Sequence, residues 1–392
     1  MLKKMDSLPK KKIAIKVSQN ISALSHGAEA HTLQYFIGYL ENQYSVSFFG
    51  AEVFPSNIEE FSYKGRQMRY FSIMPFFRKF IHIPISVINT LLYVKKEKPD
   101  LLLCLGGVYY NGLAIFLAKF FFGTTILVRT AEDHLNHFKF CKSINCYLFH
   151  RFVNKNIAKF VLSRADYVLT VGEKSKEYFI KNNLCGSKGI FSSPGPIDRS
   201  NFSKKASSKE LSEIREKYEI NKNSKTIIFA GALSKVKGAD LLPDLIRSLE
   251  QKKFKSTFFI IGSETKDKGI IRELNTFSKD YKYVRVIKLN PMSHEKLNTF
   301  FHISDLLVFL TRLGVGYGQI TIEATLSGLP VLALKSGLDS EAFFSDAAVD
   351  NISQLSERIV KGEYKLLKLP DNFSDSSIKK SHLKIINTIL QS

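Results

Sequence analysis

Between the apolar runs Asp305–Leu310 and Pro330–Leu334 lies a stretch, Leu313–Pro330, whose residue types suit the binding of an anion. Gly314, Gly316 and Gly318 allow a sharp turn and a close approach of backbone to ligand. A helix starting near Gln319 aims unpaired N–H groups at the same place, an arrangement fitted to phosphate. Glu323, the one acid of the stretch, falls about one turn into that helix. From there its carboxylate can accept hydrogen bonds from both hydroxyls of a ribose.

A second cluster follows the apolar run Thr226–Ala230. It reads Gly231-Ala232-Leu233-Ser234-Lys235-Val236-Lys237-Gly238 and offers two cations beside glycines. Other phosphate motifs are missing. No Gly-x4-Gly-Lys-Ser/Thr is present, and no Gly-x-Gly-x-x-Gly follows the first strand, so a Walker loop and a nicotinamide or flavin site are unsupported. The cysteines at 104, 141, 146 and 185 lack partners at zinc spacing. Reduced thiols and no metal are expected.

The first stretch resembles the donor-binding signature of family 4 glycosyltransferases, which have the GT-B fold. The matching residues are Gly316-Tyr317-Gly318, Glu323-Ala324 and Gly328-Leu329-Pro330-Val331. Lys237-Gly238 resembles the same family's Lys-Gly, and Pro194-Gly195-Pro196-Ile197-Asp198 its Asn-Gly-Ile-Asp turn. Two positions depart from the pattern. Val315 stands where the family has Glu, and Ala232 where it has Arg.

The resemblance implies a retaining transferase for a nucleotide-diphosphate sugar, with no metal or other cofactor. Donor binding would fall to Glu323, Lys235, Gly231, Gly316, Tyr317, Gly318 and Gln319. Lys237 would act on the diphosphate at the catalytic centre. Asp133 and His134, at the carboxyl end of a strand, become catalytic candidates on the acceptor side, with Gly27 and Glu29 in the loop that opens the chain. The acceptor would be a glycan or a lipid-linked glycan of cell-surface polysaccharide or lipopolysaccharide synthesis. Ala232 and Val315 leave a second reading open: an impaired protein of the same fold that binds without turnover.

Elements that could position these residues are legible as strands alternating with helices, the pattern of parallel sheets covered on both faces. Expected strands are Lys11–Val17, Tyr44–Phe49, Leu101–Leu105, Thr125–Arg129 and Ala165–Val171, then Thr226–Ala230, Thr257–Ile261, Val284–Leu289, Asp305–Leu310 and Val331–Leu334. Expected helices include Ala30–Glu41, Asn111–Phe121, one or two within Phe138–Arg164, Ala239–Gln251, Gly269–Ser278, His294–Ile303 and Gln319–Leu326. A chain of 392 residues is long for one core. The expectation is α/β, with two doubly wound Rossmann-like domains and an interdomain cleft. Residues 1–198 would hold acceptor and 199–375 the nucleotide sugar, with Arg199–Lys209 as linker. The helix in 376–392 would cross back onto the first domain.

Lysine and arginine number 57 against 36 acids, a net charge of +21. Neither Phe61–Lys96 nor Leu135–Ala165 contains an acid, and both mix basic with bulky apolar residues. Such stretches attract anionic surfaces. Nucleic acid is not expected, since no recognised module accompanies the charge. Up to Lys12 the chain is polar and basic, and Ile13–Val17 is too short for a signal core. Val108–Val128 carries a lysine in mid-segment and reads as helix, turn and strand, not as a membrane span. The expected location is cytoplasmic, with peripheral attachment to an anionic membrane face through the first domain.

Overall fold

A computed structural model describes residues 10–17, 28–49, 58–63, 66–71, 78–108, 111–131, 133, 135–141, 144–197, 199–263, 268–312, 317–335 and 343–392. The chain divides into two compact units, one of residues 1–196 with 376–392, the other of residues 197–375.

In the first unit the order is β1 (Lys12–Val17), α1 (Ala28–Leu40), β2 (Ser45–Phe49), an antiparallel pair β3 (Ile58–Tyr63) and β4 (Arg66–Phe71), α2 (Arg78–Glu97), β5 (Leu101–Leu105), α3 (Asn111–Phe122) and β6 (Thr125–Arg129). Then come α4 (Ile144–Leu148), a π-helical stretch Phe149–Asn154, α5 (Lys155–Arg164), β7 (Tyr167–Thr170), α6 (Glu173–Lys181) and β8 (Gly189–Ser192). Six strands form a parallel sheet in the order β2-β1-β5-β6-β7-β8. Every residue of β5 is buried, as a central parallel strand requires. The terminal helix Asp375–Gln391 packs its His382 ring edge-on against Phe36 of α1, with centroids 4.7 Å apart.

The second unit runs α7 (Arg199–Phe202), α8 (Ser208–Lys217), β9 (Lys225–Ala230), α9 (Leu242–Gln251), β10 (Ser256–Ile261), α10 (Lys268–Asp280), β11 (Val284–Leu289), α11 (His294–Ile303), β12 (Leu306–Phe309), α12 (Gln319–Leu326), β13 (Val331–Leu334), β14 (Ala348–Val349) and α13 (Ile352–Lys361). Its parallel sheet has the order β11-β10-β9-β12-β13-β14. One face is covered by α9, whose Leu242, Leu245, Ile246 and Leu249 recur at helical spacing and are fully buried. The other face is covered by Leu297, Phe300 and Phe301 of α11.

Two expectations need correction. Arg199–Lys209 is not a plain linker: it holds α7, whose Phe202 is fully buried, and the start of α8, closed by a capping box between Ser207 and Glu210. A polar run hides one buried ring well, because a single turn needs only one anchor. The thiols are not all reduced either. Cys104 and Cys185 are not in disulfides, but Cys141 is disulfide-bonded. The 3-10 turn His137–Phe140 ends at Cys141, and that local turn is not visible in metal-ligand spacing. Among the described residues no helix is long and apolar enough to cross a membrane.

Candidate active site

Strand order in the second unit reverses between β9 and β12. From β9 the chain winds outward through β10 and β11, then returns to β12 on the other side and continues to β13 and β14. Ligands of open α/β sheets bind at the carboxyl ends of the strands that flank such a reversal. The loop after β9 carries Lys235 and Lys237, and the loop after β12 leads into α12 and Glu323. The topology therefore gathers both clusters at one crevice.

Local contacts fix the two loops to each other. Gly238 adopts φ +73°, and a Cβ there would overlap the Leu310 carbonyl oxygen. Arg312 donates its backbone N–H to the Val236 carbonyl at 2.9 Å. The Arg312 guanidinium meets Asp240 at 2.8 Å. Within the β9 loop, Lys237 and Ala239 both donate backbone N–H groups to the Ser234 carbonyl, each at 3.1 Å. Lys237 is exposed and Lys235 half-buried on this tight turn. Gly231 ends the strand and donates to the Ile261 carbonyl at 2.9 Å.

Helix α12 begins at Gly318, which has φ +68°. A Cβ on Gly318 would come within 2.6 Å of the Phe309 ring, so the backbone there lies against the end of β12. Gln319 and Ile320 form the first turn of α12, and the Thr321 N–H donates back to the Gly318 carbonyl at 3.1 Å. Glu323 lies one turn further and is only 7% exposed. The Tyr317 ring is buried against Phe343 and Phe373, with centroids 5.3 and 4.7 Å away, so that side chain belongs to the core. Gly314, Val315 and Gly316 lie outside the described residues, as do Gly27 and His134. Glu29 is in the first turn of α1.

Asp133 follows β6, but its oxygens are committed to ordering their own loop. They accept from the Leu135 N–H at 3.1 Å, the Asn136 N–H at 3.3 Å and the Asn136 side chain at 2.7 Å. Tyr178 also donates its hydroxyl to Asp133 at 3.3 Å. Burial, and next the Asp133 charge, push the Tyr178 hydroxyl up to about 12, so it stays protonated as a donor.

Arg312 is the residue that the sequence reading missed. Its signal was faint: a lone base two residues past an apolar run. Among the described residues no group of three or more His, Cys, Asp and Glu side chains gathers to hold a metal ion.

Residues 211–359 match the family described as Glycosyl transferases group 1. An uncharacterized 41.2 kDa protein in the cps region of Klebsiella pneumoniae is 30% identical over 115 residues, which span 29% of this chain and 29% of that protein. Among solved structures, an Anabaena protein, HepE, in complex with UDP and glucose has a TM-score of 0.62 at 17% identity, covering 97% of both chains. Sucrose-phosphate synthase from Thermosynechococcus elongatus has a TM-score of 0.69 at 14% identity, covering 97% of this chain and 95% of that one. The chain has the GT-B fold of two Rossmann-like domains, and its second unit carries the similarity to the group 1 glycosyl transferases.

Proposed function

We propose that this chain transfers a sugar, with retention, from a nucleotide-diphosphate sugar to a glycan or lipid-linked acceptor of cell-surface polysaccharide or lipopolysaccharide synthesis. The observation that carries the reading is the pinning of the β9 loop to the β12 loop at the strand reversal, with buried Glu323 one turn into α12. Glu323 takes the ribose hydroxyls. Lys237, Lys235 and the first turn of α12 take the diphosphate. The family match over residues 211–359 and the cps-region relative support the reaction class and the polysaccharide setting. The acceptor falls to the first unit.

From Leu306 to Ile322 the sequence has no Asp or Glu, so this loop supplies no carboxylate nucleophile. The reading is a front-face displacement. The bond from the anomeric carbon to the leaving phosphate oxygen breaks, and the acceptor oxygen bonds to the same face. The departing diphosphate receives the acceptor proton. The protein's part is to stabilise phosphate charge and to position both substrates.

The test is a panel of nucleotide sugars scored first by thermal stabilisation and then by release of free sugar without acceptor. Stabilisation by one nucleotide-sugar class with slow hydrolysis is expected. No stabilisation by any member overturns the donor site. Tight binding with no turnover moves the protein to the binding-only reading that Ala232, in place of an arginine, favours.

A further inference from the structure

Helix α4, the π-helical stretch and α5 run unbroken from Ile144 to Arg164. An outer helix of a doubly wound domain normally turns polar residues to water. Here Ile144 is 68% exposed, Leu148 44% and Phe152 60%. An α-turn carries residue i+4 slightly ahead of residue i, whereas the wider π-turn carries it slightly behind. The drift from Ile144 to Leu148 is thus reversed from Leu148 to Phe152, and the three residues line one stripe.

Helix α3 packs beside α5 through the edge-to-face pair Phe116–Phe160, with centroids 4.8 Å apart, and Lys119 donates to the Arg164 carbonyl at 3.0 Å. At its end Phe120 is 72% and Phe121 61% exposed. Both groups of exposed apolar side chains therefore belong to one helical layer of the first unit.

Cations accompany them in excess over acids. Residues 135–165 contain Lys139, Lys142, Arg151, Lys155, Lys159 and Arg164 and no acid. The Arg151 guanidinium lies 4.7 Å from the centre of the Phe138 ring, and the Lys155 ammonium 5.7 Å from it. The Lys155 pKa is lowered by desolvation first and then by Arg151, Lys159 and Lys139, with Asp133 acting weakly against them. These groups thus share one positive field. A second copy of the chain would bring the same excess of positive charge to the contact, which argues against self-association through this face. An anionic bilayer offers what the face lacks: phosphates for the cations and an apolar boundary for the rings.

We propose that this helical layer docks on an anionic membrane surface, with Ile144, Leu148, Phe152, Phe120 and Phe121 at the boundary between headgroups and acyl chains. The cations contact headgroup phosphates. The inference does not depend on the donor chemistry of the second unit, and the two fail separately.

Flotation of the full chain with phosphatidylcholine vesicles, with and without phosphatidylglycerol, tests it. Binding is expected only with phosphatidylglycerol and is expected to fall with added salt. Replacing Arg151 and Lys155 by Ser lowers partitioning on the order of five-fold for each cation. Leu148→Ser with Phe152→Ser lowers it roughly ten-fold or more. Leu148→Met with Phe152→Leu retains binding and shows that the site tolerates substitution. Equal partitioning onto both vesicle types, no binding at low salt, or a concentration-dependent dimer abolished by the serine pair would overturn the proposal.

Discussion

The Cα of Gly238 lies so close to Leu310 that no side chain fits between the β9 loop and the end of β12. The left-handed φ of +73° at Gly238 adds a second barrier to any other residue. Gly238→Ala is expected to destabilise the second unit by about 2 kcal/mol or more and to weaken nucleotide-sugar binding through the displaced Lys237. Urea unfolding and calorimetric titration measure the two effects. Unchanged values in both would mean that the loops are not pinned there.

Glu323 is expected to hold the ribose. Glu323→Gln then weakens binding of nucleoside and nucleotide alike, and Glu323→Ala does so more, by about 1.5–3 kcal/mol for a charged hydrogen bond. Titrating uridine, guanosine and their diphosphates into each variant checks this. Affinities that do not move in either variant would remove Glu323 from the site.

Lys237→Ala should separate the ligands that Glu323 variants treat together. Loss is expected for UDP or GDP and little change for the matching nucleoside. Lys235→Ala should show the same pattern more weakly, and Ala232→Arg should tighten diphosphate binding, since a guanidinium can contact phosphate through two parallel bonds. A nucleoside loss equal to the diphosphate loss would point away from phosphate.

Acid should loosen the terminal helix. His382 is 1% exposed, and its Nδ1 lies 2.9 Å from the Ile378 carbonyl. Burial first, and then the Arg129 charge, push its pKa down to about 4 against the backbone bond to Ile378, which raises it. The folded state therefore binds fewer protons than the unfolded state between about 4 and the ordinary 6.5. Stability falls as pH drops through that window, by on the order of 1.4 kcal/mol per pH unit. His382→Met should flatten the profile of unfolding against pH. A variant with the wild-type slope would place the acid sensitivity elsewhere.

Legibility in the sequence followed burial. Leu101–Leu105 and Val331–Leu334 were delimited to the residue because a parallel strand covered on both faces is an unbroken apolar run. The helix Gln319–Leu326 was delimited as well, since Gly318 precedes it and Gly328 follows. Strand β8 was invisible: all four of its residues are half-exposed at the sheet edge. Helix α8 escaped notice because none of its residues is fully buried, so no apolar stripe betrays it. Glu323 stood out as the lone acid of a glycine-rich turn. Arg312 did not, because its partner Asp240 is 72 residues away and only the fold brings them together. Asp133 was legible by its place after a strand, whereas the hydrogen bonds it accepts from Leu135 and Asn136 are set by the fold of its own loop.

Residues 376–392 belong to the first unit, yet they leave the ribosome after all of residues 197–375. The side of α1 that meets His382 through Phe36 and Tyr39 must wait for them. During synthesis the first unit lacks this helix until the second has been made. A messenger truncated after codon 375 would yield a first unit without its last helix. A circular permutant that moves the terminal helix ahead of β1 would reverse that schedule and let the first unit close before translation reaches the second.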